Sequence, residues 1–331
     1  MGALVKTIPI VFAVLLAVNL RAGEEEKGKW LPISDGIMAK LTAENKKPGW
    51  PGGCAGVTVE PGSGDVYVVV CDQGMWKSTD KGANFERVDG SKIGGRCETG
   101  FALDFDPAGK RLMCFMIYGS AGMTTDAGKT WQASKLSHLD FGAVDWSEPE
   151  AKHMISLKHE SGGDLVVTHD AGGSWKSLGK GFKQVGIFEG GVLMATKAAG
   201  ILRSTDDGQT WTQVSDSKPT GFVMRVIGGV GYWTSNDGLL ASKDKGLTWP
   251  VQGTAIKAFV GPYFGKDASQ IIVGNKEGLF ETTDSGATWH LAAPLPAGFG
   301  AGPVGPNYAW DAKENILYAS TMGKPAFKYV R

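Results

Sequence analysis

Six aspartates stand in nearly one setting: Asp80, Asp126, Asp170, Asp206, Asp244 and Asp284 each come two residues after a Ser or Thr and two before a Gly. The fullest copy is STDDGQTW, residues 204–211; TTDAGKTW begins at 124, THDAGGSW at 168, SKDKGLTW at 242, TTDSGATW at 282 and the looser STDKGANF at 78. A recurring carboxylate invites an acid–base reading, but no copy holds a nucleophile beside a base, or a second carboxylate at a constant spacing. The chemistry these residue types share is that of a turn. An Asp carboxylate accepts hydrogen bonds from backbone N–H groups just downstream. Gly supplies a left-handed backbone, and the closing Trp lays an apolar face over the turn. The motif is expected to hold structure rather than to react.

The spacing of the turns implies the elements around them. Successive aspartates are 46, 44, 36, 38 and 40 residues apart, within the range of propellers and other repeat folds. The unit GVTVEPGSGDVYVVVCDQGMWKSTDKGANFERV, residues 56–88, reads as four short apolar strands joined by tight turns, with no helical periodicity. The 49 glycines in 331 residues suit that many turns. Four strands per unit of about 40 residues make a propeller blade. The last stretch, YAWDAKENILYASTMGKPAFKYVR, has three strands and stops where the next Asp turn would begin. Near the other end, KWLPISDG (29–36) resembles the strand that leaves each Asp turn, with Trp30 in the place of Trp211 and Trp175. The expectation is an all-β, seven-bladed β-propeller whose N-terminal strand completes the last blade and closes the ring, leaving no sheet edge.

Outside the repeats, MGALVKTIPIVFAVLLAVNLRA (1–22) has Lys6, an apolar run from Ile8 to Leu20 and a small residue at Ala22. That is a signal peptide, too short an apolar run to remain as a membrane span. GEEEKGK begins a flexible tail (23–28), and the propeller occupies 29–331. Without residues 1–22, which carry Lys6 and Arg21 and no acid, 32 basic and 34 acidic residues remain. The near-neutral balance offers no basic stripe for nucleic acid.

Export makes the four cysteines candidates for bridging. Counting outward from a turn that pairs Glu60 with Asp65 sets Cys54 opposite Cys71, so a Cys54–Cys71 disulfide is expected. Counting from DPAGK sets Cys114 opposite Leu103 and leaves Cys97 apart. No metal or other cofactor is expected: mid-strand Cys114 does not converge with the other cysteines into a four-ligand site. Of the five histidines, His169 and His290 flank Asp turns, His153 lies in a strand, and only His138 and His159 fall near loops.

The turn resembles the Asp-box, or BNR repeat, and the chain from 29 to 331 resembles the Asp-box β-propellers. These include sialidases, the lumenal domain of sortilin-type receptors, xyloglucan-cleaving endoglucanases and the photosystem II assembly factor. The sialidase pattern would require an Arg-Ile-Pro motif and three arginines around a carboxylate. The motif is absent here, and only Arg96 and Arg225 lie away from the turns and the C-terminus. The endoglucanase pattern places a catalytic acid in a Thr-Asp-x-Gly-Gly segment after the first blade's second strand. The matching stretch is VVVCDQGMWKS, in which Asp72 takes that place, Cys71 replaces the Thr and Met75 the second Gly. Its partner acid would come from a second propeller, which this chain lacks.

A propeller usually binds through the loops joining second to third strands and fourth strands to the next blade, with the Asp turns on the opposite side. Candidate residues there are Trp50, Asp72, Arg96, Tyr118, His138, His159, Glu160, Asn236 and Asn275, with Glu98, Asp140, Asp237 and Glu277 as further acids. With no matched acid and base among them, the expectation is a secreted or periplasmic monomer that binds an extracellular glycan or protein without catalysis. A glycoside hydrolase built on Asp72 is the alternative.

Overall fold

The computed structural model describes residues 26–300, 302 and 304–331, so the expected signal peptide and the first tail residues lie outside the described residues. The described chain forms seven four-stranded antiparallel sheets. Blade one comprises Cys54–Val59, Val66–Val70, Met75–Ser78 and Glu86–Arg87, and each of the next five blades repeats that order. The strand VYVVV is buried throughout, because its sheet packs on a neighbour across both faces, where β-branched residues fit best. The core is accordingly a series of layers between blades rather than one central cluster.

The ring closes as the termini imply. Trp30–Pro32 pairs with Phe327–Val330 as the outermost strand of blade seven, with Trp30 opposite Tyr329. Trp30 also behaves as three of its equivalents do, whereas the Trp211 indole N–H has no partner among the described residues and that of Trp249 reaches Gly246 O in its own turn. The Trp30 indole N–H reaches Pro294 O at 2.8 Å, in the preceding blade. Trp131 reaches Val88 O at 2.6 Å, Trp175 reaches Ser134 Oγ at 3.0 Å and Trp289 reaches Thr254 O at 3.2 Å. These tryptophans therefore tie one blade to the next, beyond covering their own turns. Lys27 and Gly28, expected within the tail, already lie against Val330.

After Pro32, which has no N–H to continue a ladder, the strand expected to reach Gly36 ends early, and Asp35–Ala43 forms a helix. Ile37 and Leu41, one turn apart, are fully buried against blades one and seven. Ser34 Oγ accepts from Ala326 N at 3.1 Å, fastening the helix start to blade seven.

Each Asp turn is a closed hydrogen-bond set. In the fourth blade Asp206 Oδ1 accepts from Ser204 Oγ at 2.8 Å and Thr210 N at 2.9 Å, and Oδ2 from Thr210 Oγ1 at 2.6 Å. Ser204 Oγ in turn accepts from Gly208 N at 2.9 Å. Gly208 has φ +77°, and a Cβ there would come within 2.5 Å of Leu178 in blade three. The glycine thus serves both the turn and its seat on the neighbouring blade.

The expected disulfide is absent: Cys54, Cys71, Cys97 and Cys114 are all free and buried. Glu60 N does bond to Asp65 O, and the ladder runs in step to Val57 opposite Val68, but a bulge then places Cys54 opposite Val70 rather than Cys71. The extra residue swings Cys71 off Cys54, and Cys71 Sγ donates to Gly52 O at 3.2 Å. The bulge lets Ala55 O accept from Cys97 N, which stitches blade one to blade two. Burial pushes the Cys54 thiol up to about 12 and the Cys71 thiol up to about 11, so both are inert thiols. In blade two, Cys114 does lie opposite Leu103.

Candidate functional site

Seven of the nine candidate binding residues come from the loop ends of blades one to three and their lead-in segments. Their centre is Arg96, only 6% exposed. Its guanidinium lies 4.2 Å from the Tyr118 ring centroid and 5.0 Å from that of Trp50. Arg96 Nε also donates to Glu98 at 3.3 Å and Nη1 to Trp50 O at 3.0 Å. The arginine is thus fully engaged, acting as a clamp. What it holds is open: Trp50 is 74% exposed and Tyr118 46%.

Histidines flank the Tyr118 ring. The His138 and His159 rings meet it edge-on, at 5.2 and 5.3 Å. His159 Nδ1 pairs with Asp140 Oδ1 at 2.6 Å while its Nε2 faces Tyr118 Oη at 3.3 Å, and exposed Glu160 reaches within 3.8 Å of the same nitrogen. Burial pushes the Asp140 carboxyl above the ordinary range; His159 opposes that, while Glu98 and Glu160 reinforce it. Asp72, Tyr118, His138 and Glu160 have φ between +48° and +58°, a backbone that side-chain-bearing residues adopt at some cost.

Asp72 joins this cluster at its edge. Its N–H donates to Gly95 O at 3.1 Å, and its carboxylate lies so close over Gly49 that a Cβ there would meet Oδ2 at 1.8 Å. Asn236 and Asn275 stand apart, in the hairpins of blades five and six. Asn275 accepts from Glu277 N at 2.8 Å within its hairpin and donates to Lys257 O at 3.1 Å in the connection that leads into blade six.

A cavity lies elsewhere, in the central channel. Its volume is about 320 Å³, and it is lined by inner strands of blades one, two, five, six and seven and by their first turns, at Pro61, Pro107 and Lys266. Phe101 and Tyr263, with ring centroids 4.9 Å apart, line both this cavity and a shallow recess among the fourth-to-first connections. Arg225 stacks 4.5 Å from the Phe101 centroid and pairs with Asp104. The two arginines that could have begun a triad are therefore committed to separate partners. Nothing in the sequence marked Phe101 or Tyr263 as lining a cavity.

No family model and no curated protein matches the chain. Solved structures do. The chain is similar to YCF48 bound to D1 peptide, with 14% identity over 93% of this chain and 98% of that one and a TM-score of 0.53. It is also similar to an ancestral GH74 enzyme, with 13% identity over 90% of this chain, 46% of that one and a TM-score of 0.52. The chain thus spans about half the length of the GH74 enzyme. YCF48 from Cyanidioschyzon merolae is 15% identical over 86% of this chain and 98% of that one, with a TM-score of 0.49. At such identities the likeness is one of fold: a seven-bladed β-propeller.

Proposed function

We propose that this chain is a secreted or periplasmic propeller of the Asp-box type, monomeric, that binds an extracellular polypeptide through the loop face of blades one to three without catalysis. The observation that carries the reading is the clamp: two exposed aromatic rings held in place by one buried arginine. Rigid aromatics with an apolar face and a polar tip are the usual anchors of a binding surface. The YCF48 neighbour bound to a peptide supports a polypeptide ligand on a ring of this size. Glycan binding is a second reading, favoured by the broad exposed face of Trp50.

Glycoside hydrolysis, the alternative suggested by the position of Asp72 and the GH74 neighbour, meets a chemical obstacle. Such enzymes need two carboxyl groups free to act on either side of the bond. Of the acids beside the cluster, Glu98 is engaged by Arg96 and Asp140 by His159, which leaves exposed Glu160 as the second acid that Asp72 would need.

The test uses the chain without residues 1–22, screened against displayed peptides, a glycan array and β-glucan hydrolysis. A peptide ligand lost in both Trp50→Ala and Tyr118→Ala, with folding intact, is the expected result. Hydrolysis abolished by Asp72→Asn would replace binding with catalysis.

A further inference from the structure

We propose that His153, His169 and the Asp207 carboxylate form a site for one divalent transition-metal ion of the zinc type, at the seam between blades three and four. Ligand atoms from the three residues lie within 4.8 Å of one another. His153 Nε2 stands 3.3 Å from Asp207 Oδ1, and His169 Nε2 stands 2.8 Å from Asp207 Oδ2. The two imidazoles stack at 4.3 Å, so both present Nε2 to the same carboxylate. Zinc bonds of about 2.0–2.2 Å in a tetrahedral arrangement set ligand atoms about 3.3 Å apart, so small side-chain rotations suffice to admit the ion.

A second observation points the same way. His153 is nine-tenths buried, yet its Nε2 makes no hydrogen bond, and neither does Asp207 Oδ1 beside it. Buried polar atoms left unpaired are costly, and an ion between them would satisfy both. A ring nitrogen of His153 also lies within 4.8 Å of carboxylate oxygens of Asp145 and Glu148, and His153 N donates to Glu148 at 3.1 Å. Carboxylates behind a ligating imidazole fix its tautomer and orientation. Two imidazoles and one carboxylate favour zinc, copper or nickel over magnesium or calcium. His169 and Asp207 are 56% and 36% exposed, which leaves the remaining coordination position to water.

The site arises from how neighbouring turns meet. His169 precedes Asp170 in its turn, and Asp207 follows Asp206 in the next. The other turns carry Thr or Lys before the aspartate and Lys, Ala or Ser after it. Only at this seam, among the described turns, can one turn's imidazole meet the next turn's carboxylate. A bound ion would join blades three and four through side chains, as Trp30, Trp131, Trp175 and Trp289 join other pairs of blades through indole N–H groups.

The experiment is equilibrium dialysis and calorimetry of the folded chain with zinc chloride, with magnesium chloride alongside. Expected are one zinc ion per chain, no response to magnesium, and a higher melting temperature with zinc. His169→Gln and Asp207→Asn, both at exposed positions, should each weaken zinc binding by about tenfold or more. His159→Gln and His290→Gln should leave it unchanged. Failure to bind zinc, undiminished binding in His169→Gln, or binding lost in His159→Gln would each overturn the assignment.

Discussion

The Asp-turn side and the loop face both collect aspartates, and they treat them in opposite ways. On the turn side Asp206 is half-buried, and bonds from Thr210 and Ser204 hold its carboxyl down at about 2. On the loop face burial pushes Asp140 up, against the pull of His159. The first is a carboxylate used as a fastener, satisfied by its own turn. The second is a carboxylate kept at a cost beside exposed rings, the pattern that marks sites rather than scaffolding. The turn geometry recurs from blade to blade, whereas the loop face is built unevenly. Blades one to three carry the aromatic and charged cluster; in blades five and six the hairpins brace themselves and the adjoining connections.

The sharpest way to break this comparison is to remove the clamp. Arg96→Leu deletes a buried cation and strands Glu98 and Trp50 O. Breaking a buried pair in this way costs about 3 kcal/mol, since the Arg96 side chain is 8% exposed and that of Glu98 19%. Urea unfolding should show that loss, and near-ultraviolet dichroism should show Trp50 and Tyr118 freed. An unchanged aromatic spectrum would mean that the rings are held by something other than the arginine.

A smaller effect is expected on the turn side. Ser204→Ala removes the hydroxyl that accepts from the buried Gly208 N–H. Leaving that group unpaired costs about 1–3 kcal/mol, read as a shift in urea midpoint. Ligand binding at Trp50 and Tyr118 should not change, because Ser204 lies at the Asp turn of blade four, at the end of the blades opposite the loop face. If binding fell with stability retained, the division between fastener and site would be wrong.

The ring was legible because its signal repeats. Six Asp turns, their spacing and the unfinished last unit specified seven blades and their closure through Trp30. What escaped was set by single residues. Only the first two residues of the helix Asp35–Ala43 fall in the stretch read by analogy with other blades, and the rest carried no reading, although Ile37 and Leu41 already sat one helical turn apart. The Cys54–Cys71 pairing failed because one bulge, invisible to counting, shifted the register. For the site, the candidate residues were individually visible, but their convergence on Arg96 depended on ring geometry. One signal could have pointed there: the 46- and 44-residue spacings between Asp80, Asp126 and Asp170 exceed the later 36, 38 and 40. The longer units are those that bring Arg96, Tyr118, His138 and His159.

The smallest effect separates the two kinds of aspartate by pH. Asp170, Asp206 and Asp284 have carboxyl groups held at about 2, each first by side-chain hydroxyl bonds within its turn, from Ser174, Thr210 and Thr282 respectively. A carboxyl group depressed in the folded chain contributes stability that is present above its unfolded value near 3.8 and is lost as pH falls toward about 2. Asp140 has the opposite sign. Its folded carboxyl is raised, so the native chain holds that proton more tightly than the unfolded chain does, and stability declines as pH rises through the window above 3.8. Melting temperatures measured from pH 2 upward should therefore respond differently to two substitutions. Asp206→Asn should flatten the acid limb below about pH 4, because one fastener no longer titrates there. Asp140→Asn should leave that limb steep and remove the decline above it, since the amide oxygen can still accept from His159 without carrying a charge. Equal changes in both variants, or a steeper acid limb in Asp206→Asn, would show that the two faces do not differ in how they hold their carboxylates.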